Sequence, residues 1–137
     1  MVHKTVALKE RTKQFALRVI RLCRAVPPSP ETRVITTQLL RSATSVAANY
    51  RAVCRARSRA EFLAKLGIVI EEADESALWL ELLADAQIIP DRLLVDLKSE
   101  ANQLVAICNA SRTTAKTGFH SKINNHKSTI PEGSSHG

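Results

Sequence analysis

Glu71, Glu72 and Glu75 stand within one short stretch of the chain, and helical spacing would gather their carboxylates on neighbouring positions of a single helix. Clustered acids in a helical protein raise the question of a di-metal site. Such a site in a bundle needs Glu-x-x-His pairs projecting from facing helices, yet no His occurs between His3 and His120. The helices cannot supply imidazole ligands, which excludes a ferritin-like oxidase. Nucleophilic chemistry has as little to stand on. No Ser–His or Cys–His pairing is available from the helical part, and Gly67 is the one glycine there, so no phosphate-cradling loop can form. Cys23, Cys54 and Cys108 are odd in number and far apart, fitting neither a disulfide framework nor a C-x-x-C metal site; each reads as a small buried thiol. The expectation is a non-enzyme with no cofactor and no metal.

The second set of reactive groups is cationic. Lys4, Lys9, Arg11, Lys13, Arg18, Arg21 and Arg24 fall in the first 26 residues with a single acid among them, and Arg51, Arg55, Arg57 and Arg59 cluster further on. An ordinary solvated helix face mixes signs, so a stretch with so few acids points to an anionic partner. The net charge of +7 is unevenly spread. Residues 27–57 carry five Arg and one acid, whereas residues 58–89 carry two basic and seven acidic groups. Two positive helices can lie against an acidic third, with the excess left as a positive surface.

The elements that position these groups are helices. Hydrophobic residues make up 45% of the chain but aromatics only 4%, a composition short of strand-forming runs. Leu8, Phe15, Val19, Leu22 and Val26 form a stripe over about Lys4 to Ala25. Pro27-Pro28-Ser29-Pro30 breaks that helix; Ser29 caps the next, with Pro30 at its first position and Glu31 in its first turn. The second helix reaches about Arg55 on Ile35, Leu39, Ala43, Val46, Tyr50 and Val53. Small residues between them allow a neighbour to approach closely. Ser58-Arg59-Ala60-Glu61 is a capping box. It opens a third helix to about Ala86 on Phe62, Leu66, Val69, Ala73, Ser76, Leu80 and Leu83. Ile88-Ile89-Pro90 ends it, and a fourth runs from Asp91 on Leu94, Leu97, Ala101, Leu104 and Cys108, fading near Thr114.

Four amphipathic helices with short connections give an all-α, up-down-up-down antiparallel four-helix bundle over residues 1–115, a rod roughly 35–40 Å long. Residues 116–137 read as a disordered, weakly basic tail in which His120, His126 and His136 are solvated. No apolar run is long enough to span a bilayer and the start lacks a signal-peptide core, so no membrane is expected and the cytoplasm is the default.

A hairpin turn near Arg57 sets Arg41 opposite the Glu72–Glu75 region and Asn49 opposite Lys65. Gln38, Arg41, Ser42, Ser45 and Asn49 would then meet Lys65, Glu72 and Glu75 as a structural polar seam. Such a seam fixes helix register more than it adds net stability.

Gln38 to Tyr50, followed by Ser58, Glu61-Phe62, Lys65, Glu72, Glu75 and Trp79-Leu80-Glu81-Leu82, closely resembles the bacterial four-helix bundle proteins encoded in 23S rRNA intervening sequences. The resemblance spans roughly residues 8–115. It implies a small up-down bundle that assembles as a homo-oligomer, commonly a pentamer. More distantly, the chain resembles the accessory variability proteins of diversity-generating retroelements, and that likeness implies binding of nucleic acid and of a reverse transcriptase through a basic surface. The chain departs from the family at Ala52-Val53, where many members carry Glu-Gly, so no role tied to that step carries over.

The expectation for function is a non-catalytic oligomer that binds RNA or DNA through phosphate contacts of the cations named above. With no interleaved aromatics to stack bases, recognition would be electrostatic and salt-dependent. The alternative is a protein–protein adaptor or structural ring whose positive face meets an acidic protein; a toxin–antitoxin-like regulatory partner is a third reading.

Overall fold

The computed structural model describes residues 2–125, with side chains placed for residues 7–117. Helix α1 (Val2–Ala25), α2 (Pro30–Cys54), α3 (Arg59–Asp85) and α4 (Val95–Asn125) follow one another, with a 3₁₀ turn at Asp91–Leu93 ahead of α4. Each helix packs on the next and α1 returns to α4, so the four close into an antiparallel bundle. Among the described residues, contact between successive helices around the bundle is densest for α2 with α3 and sparsest for α1 with α4.

The starts of α2 and α3 are built as their sequences require. Ser29 Oγ accepts from the Thr32 backbone N–H at 3.1 Å with Pro30 at the first position of α2. Ser58 Oγ accepts from the Glu61 N–H at 3.0 Å. The returning Glu61 carboxylate takes the N–H of Arg57 at 3.0 Å, one residue ahead of the cap, which also pins the α2–α3 turn.

The end of α3 departs from what a glycine-capped helix would show. Gln87 occupies the left-handed region at φ 59°, while Gln87 N–H bonds to Ala84 O at 2.9 Å and Ile88 N–H to Leu83 O at 3.0 Å. This is a Schellman closure made without glycine. Ile88 and the buried Ile89 then fold back onto the core, and the chain turns through the 3₁₀ segment, so α4 begins at Val95 and not at Asp91. At its far end α4 continues to Asn125, past Thr114 where its apolar repeat fades. Of the expected tail, residues 126–137 lie outside the described residues.

The core is the set of stripes read from the sequence. Phe15, Val19, Leu39, Val46, Leu66, Val69, Leu80, Leu83, Leu94 and Leu104 are fully buried, as is Cys108. Leu22 and Val26 sit at its edge. Additions include Thr12, buried on the α1 stripe with its hydroxyl donating to Lys9 O at 3.1 Å, Ala16 on α1, Thr32 on α2 and Ala77 on α3. Helix α3 is apolar beyond its core stripe: Leu78 and Leu82 remain 46% and 37% exposed on its outer side. Among the described residues no helix is long and apolar enough to cross a membrane.

Candidate nucleic-acid interface

The inward stripe Leu8–Thr12–Phe15–Val19 fixes how α1 presents its cations. Residues on one flank of that stripe turn to α2 and those on the other to α4. Lys9 and Lys13 fall on the α2 flank, where they border a groove with Ala47, Ala48 and Arg51. Arg11 falls on the α4 flank and is engaged there: its Nε and Nη2 donate to Glu100 at 3.0 and 2.8 Å, and Nη2 also reaches Gln103 at 3.2 Å. Arg18 is half-buried on the same flank, lining a groove with Arg21 and Asp96. Arg11 and Arg18, seven residues apart, therefore lead into the α1–α4 contact and not onto a single free basic face. The Lys4 side chain lies outside those described. Arg21 and Arg24 are exposed near the Pro-rich turn, and Arg33 of α2, not singled out in the sequence, is exposed close by.

On α2 and the following turn, Arg51, Arg55 and Arg57 are exposed. A second, shallower groove of about 390 Å³ joins them to Ala48 and Ala52. Arg51 and Ala48 also line the α1–α2 groove of about 590 Å³, so the two run together. Arg59 is half-buried and engaged within the structure, apart from this set. Among the described residues Lys9, Lys13, Arg51, Arg55 and Arg57 make no ion pair, whereas Arg11, Arg41 and Lys98 each do.

The polar seam forms around Arg41. Its guanidinium reaches Glu72 at 3.2 Å and Glu75 at 2.5 Å, and its Nε donates to Gln38 at 3.4 Å. Trp79 Nε1 donates to the same Glu75 oxygen at 3.1 Å. The Arg41 hydrogen bond, seconded by that of Trp79, holds the Glu75 carboxyl below the usual range. Ser42 is buried and its hydroxyl meets that of Ser76 at 2.8 Å. The Ser76 partnership was legible only as a serine standing on an otherwise apolar stripe. Asn49 turns back on its own helix, donating to Ser45 O and Oγ at 3.0 and 2.9 Å. The Lys65 expected opposite it makes no hydrogen bond or ion pair among the described residues. An amide two bonds from the backbone reaches its own preceding turn more easily than a neighbouring helix.

Glu71 is exposed on the outer side of α3, away from the Arg41 cluster. Among the described residues no three His, Cys, Asp or Glu side chains gather in a way that could hold a metal ion. Burial pushes the Cys23 and Cys108 thiols up to about 11. Cys54 is also pushed up by burial, against the opposing pull of Lys9 and Arg55, so both cations direct their field at the same end of α2.

The helical pattern, the Arg41 seam and the hairpin register converge with a family comparison. The model of the 23S rRNA-intervening sequence proteins matches residues 4–110. The chain belongs to that family. A crystal structure from Bacteroides thetaiotaomicron, of a protein of unknown function in the S23 ribosomal protein family, is similar to it with a TM-score of 0.72 and 30% identity. That similarity covers 77% of this chain and 97% of the other. No curated protein matches the chain. The 23S rRNA-intervening sequence family thus accounts for nearly the whole bundle, from the start of α1 to the middle of α4.

Proposed function

We propose that this protein is a non-catalytic, homo-oligomeric bundle that binds RNA or DNA through the phosphate backbone. The observation that carries the reading is the set of exposed cations on α1, α2 and the hairpin turn that make no ion pair among the described residues, set against Arg11, Arg41 and Lys98, which do. Unneutralised cations close together release counterions from a polyanion and give affinity without sequence preference. Oligomerisation repeats the patch and raises avidity. The outer side of α3 supports self-association: Leu78 and Leu82 lie one turn apart there, and Val34 of α2 is 60% exposed. The family resemblance adds the expectation of five subunits, and the more distant retroelement likeness adds a reverse transcriptase as a partner to try.

Binding of the purified protein to labelled structured RNA and duplex DNA across a salt series tests this reading. Affinity that falls steeply and linearly on a log–log plot agrees with it. Absence of binding even at low salt rejects it in favour of the adaptor reading, for which the acidic, partly apolar exterior of α3 is the favouring observation. Light scattering on the same sample gives the subunit number.

A further inference from the structure

We infer that the continuous groove from the α1–α2 contact to the hairpin turn is a seat for one sugar–phosphate ridge of a nucleic-acid duplex. The inference rests on the phosphate-binding reading and names the site and the strandedness of its ligand.

The groove has two cationic walls and a neutral floor. Lys9 and Lys13 stand one turn apart on α1; Arg51 stands in the last turn of α2 and Arg55 caps its C-terminal end. Lys9 and Lys13 face Arg51 across the groove, and Arg55 and Arg57 line its continuation toward the hairpin turn. Cations one helical turn apart lie about 5.4 Å from one another along the axis, a step comparable to that between consecutive phosphates of a strand. The floor consists of Ala16, Ala47 and Ala48 with the Thr44 hydroxyl at its edge. That hydroxyl is already donated to Leu40 O at 2.7 Å.

The floor decides the class of ligand. Proteins that hold single strands use aromatic platforms on which bases stack, and those that read sequence place Arg, Asn or Gln against base edges. Neither the alanines nor the threonine can do either. A duplex keeps its bases stacked inside and offers the protein a convex ridge of phosphates, which an alanine-floored concavity with cations on both rims fits. The acids bordering the groove, Glu10 and Glu61, are each engaged locally: Glu10 accepts from Gln14 one turn further along α1 at 2.8 Å and Glu61 from the Arg57 N–H at 3.0 Å.

Titrations of a blunt RNA duplex, a DNA duplex of the same length and the matching single strands test this, each over a salt series. Engagement of five cations predicts a log–log slope of about −4.5 per occupied groove, a loss of roughly 500-fold between 50 and 200 mM salt. The variants K9Q/K13Q and R51Q/R55Q should each reduce the slope by about 2. R92Q, on the exposed 3₁₀ turn ahead of α4 at the other end of the bundle from the hairpin turn, should leave it unchanged. Alkylation of Cys54 supplies a second readout: a ridge that neutralises Lys9 and Arg55 removes their pull on the thiol, so saturating duplex should slow its reaction relative to Cys23. Comparing the RNA and DNA duplexes distinguishes the two sources of the same ridge. Tighter binding of single strands overturns the inference, as does a slope lowered by R92Q but not by the groove variants; in both cases the broader phosphate-binding reading stands. No binding of any nucleic acid removes both.

Discussion

Arg41 of α2 and Glu75 of α3 meet at 2.5 Å, and the Trp79 indole donates to the same carboxylate oxygen at 3.1 Å. The pair thus ties the two most closely packed helices through one carboxylate. Because Arg41 first and Trp79 second hold Glu75 below its ordinary value, folding favours the ionised form. The associated stability is present above the unfolded carboxylate pKa of about 4.3 and is lost as pH falls through the depressed native value. Arg41→Gln should therefore flatten the acid limb of the stability profile while changing little of its shape above pH 6. Urea unfolding from pH 7 down to pH 2 measures this. A double-mutant cycle of Arg41→Gln with Glu75→Gln should show coupling that shrinks with added salt.

The Ser42–Ser76 hydroxyl pair sits between α2 and α3, fully buried. Each hydroxyl also has a carbonyl of its own helix in reach, Leu39 O at 3.2 Å and Glu72 O at 2.9 Å. Replacing either serine with alanine should cost about 1 kcal/mol, and replacing both should cost less than the sum, because no hydroxyl is then left without its partner. Ser42→Leu should cost about 1–3 kcal/mol or more by forcing the helices apart. Chemical denaturation of the four variants separates lost hydrogen bonding from overpacking.

Two backbone positions are expected to improve on substitution, in opposite directions. Gln87 at φ 59° is a side-chain-bearing residue in the left-handed region, so Gln87→Gly should add about 1 kcal/mol. Gly67 lies inside α3, and a Cβ there would meet only the Arg112 guanidinium at 3.6 Å, an ordinary contact. Gly67→Ala should then add up to about 1 kcal/mol through helix propensity. Each change should raise the melting temperature by a few degrees, and a calorimetric scan reads both.

Cys23 and Cys108, pushed up to about 11 by burial, should react slowly with a disulfide reagent at pH 8 in the folded protein and at full speed once it is unfolded. A thiol that ionises more readily unfolded than folded contributes stability below its unfolded pKa of about 8.5 that is lost as pH rises toward the folded value. The stability profile should therefore decline between about pH 9 and 11, and Cys108→Ala should lessen the decline. Denaturation at pH 8 and pH 10.5 with both proteins tests it.

Much of the bundle was legible because its signals are local. The Ser29 and Ser58 caps and the apolar stripes each depend on residues within a few positions of one another. The Arg41 seam could be read because a short turn fixes register between α2 and α3. Arg11 was different: its seven-residue spacing with Lys4 and Arg18 is a local fact, but Glu100 lies far along the chain, and only closure of α1 on α4 brings them together. The separation of Lys9 and Lys13 from Arg11 follows from the same closure. The left-handed Gln87 had no compositional signal, since glycine is the residue that announces such a position.

Among the described residues the principal helix contacts join neighbours along the chain, except α1 against α4, which must be sealed by residues from its two ends and is the sparsest of them. Its principal polar fastening is the Arg11 fork on Glu100 and Gln103, and an open, largely apolar gap of about 360 Å³ lies beside it, lined by Ala7, Ala106 and Ala110. The molecule is in this sense a sleeve with a clasp. Whatever loosens a charged clasp, high salt or an anion competing for Arg11, acts on the edge between α1 and α4. The helix that carries Lys9 and Lys13 is thus docked on one side through a contact open to ionic control.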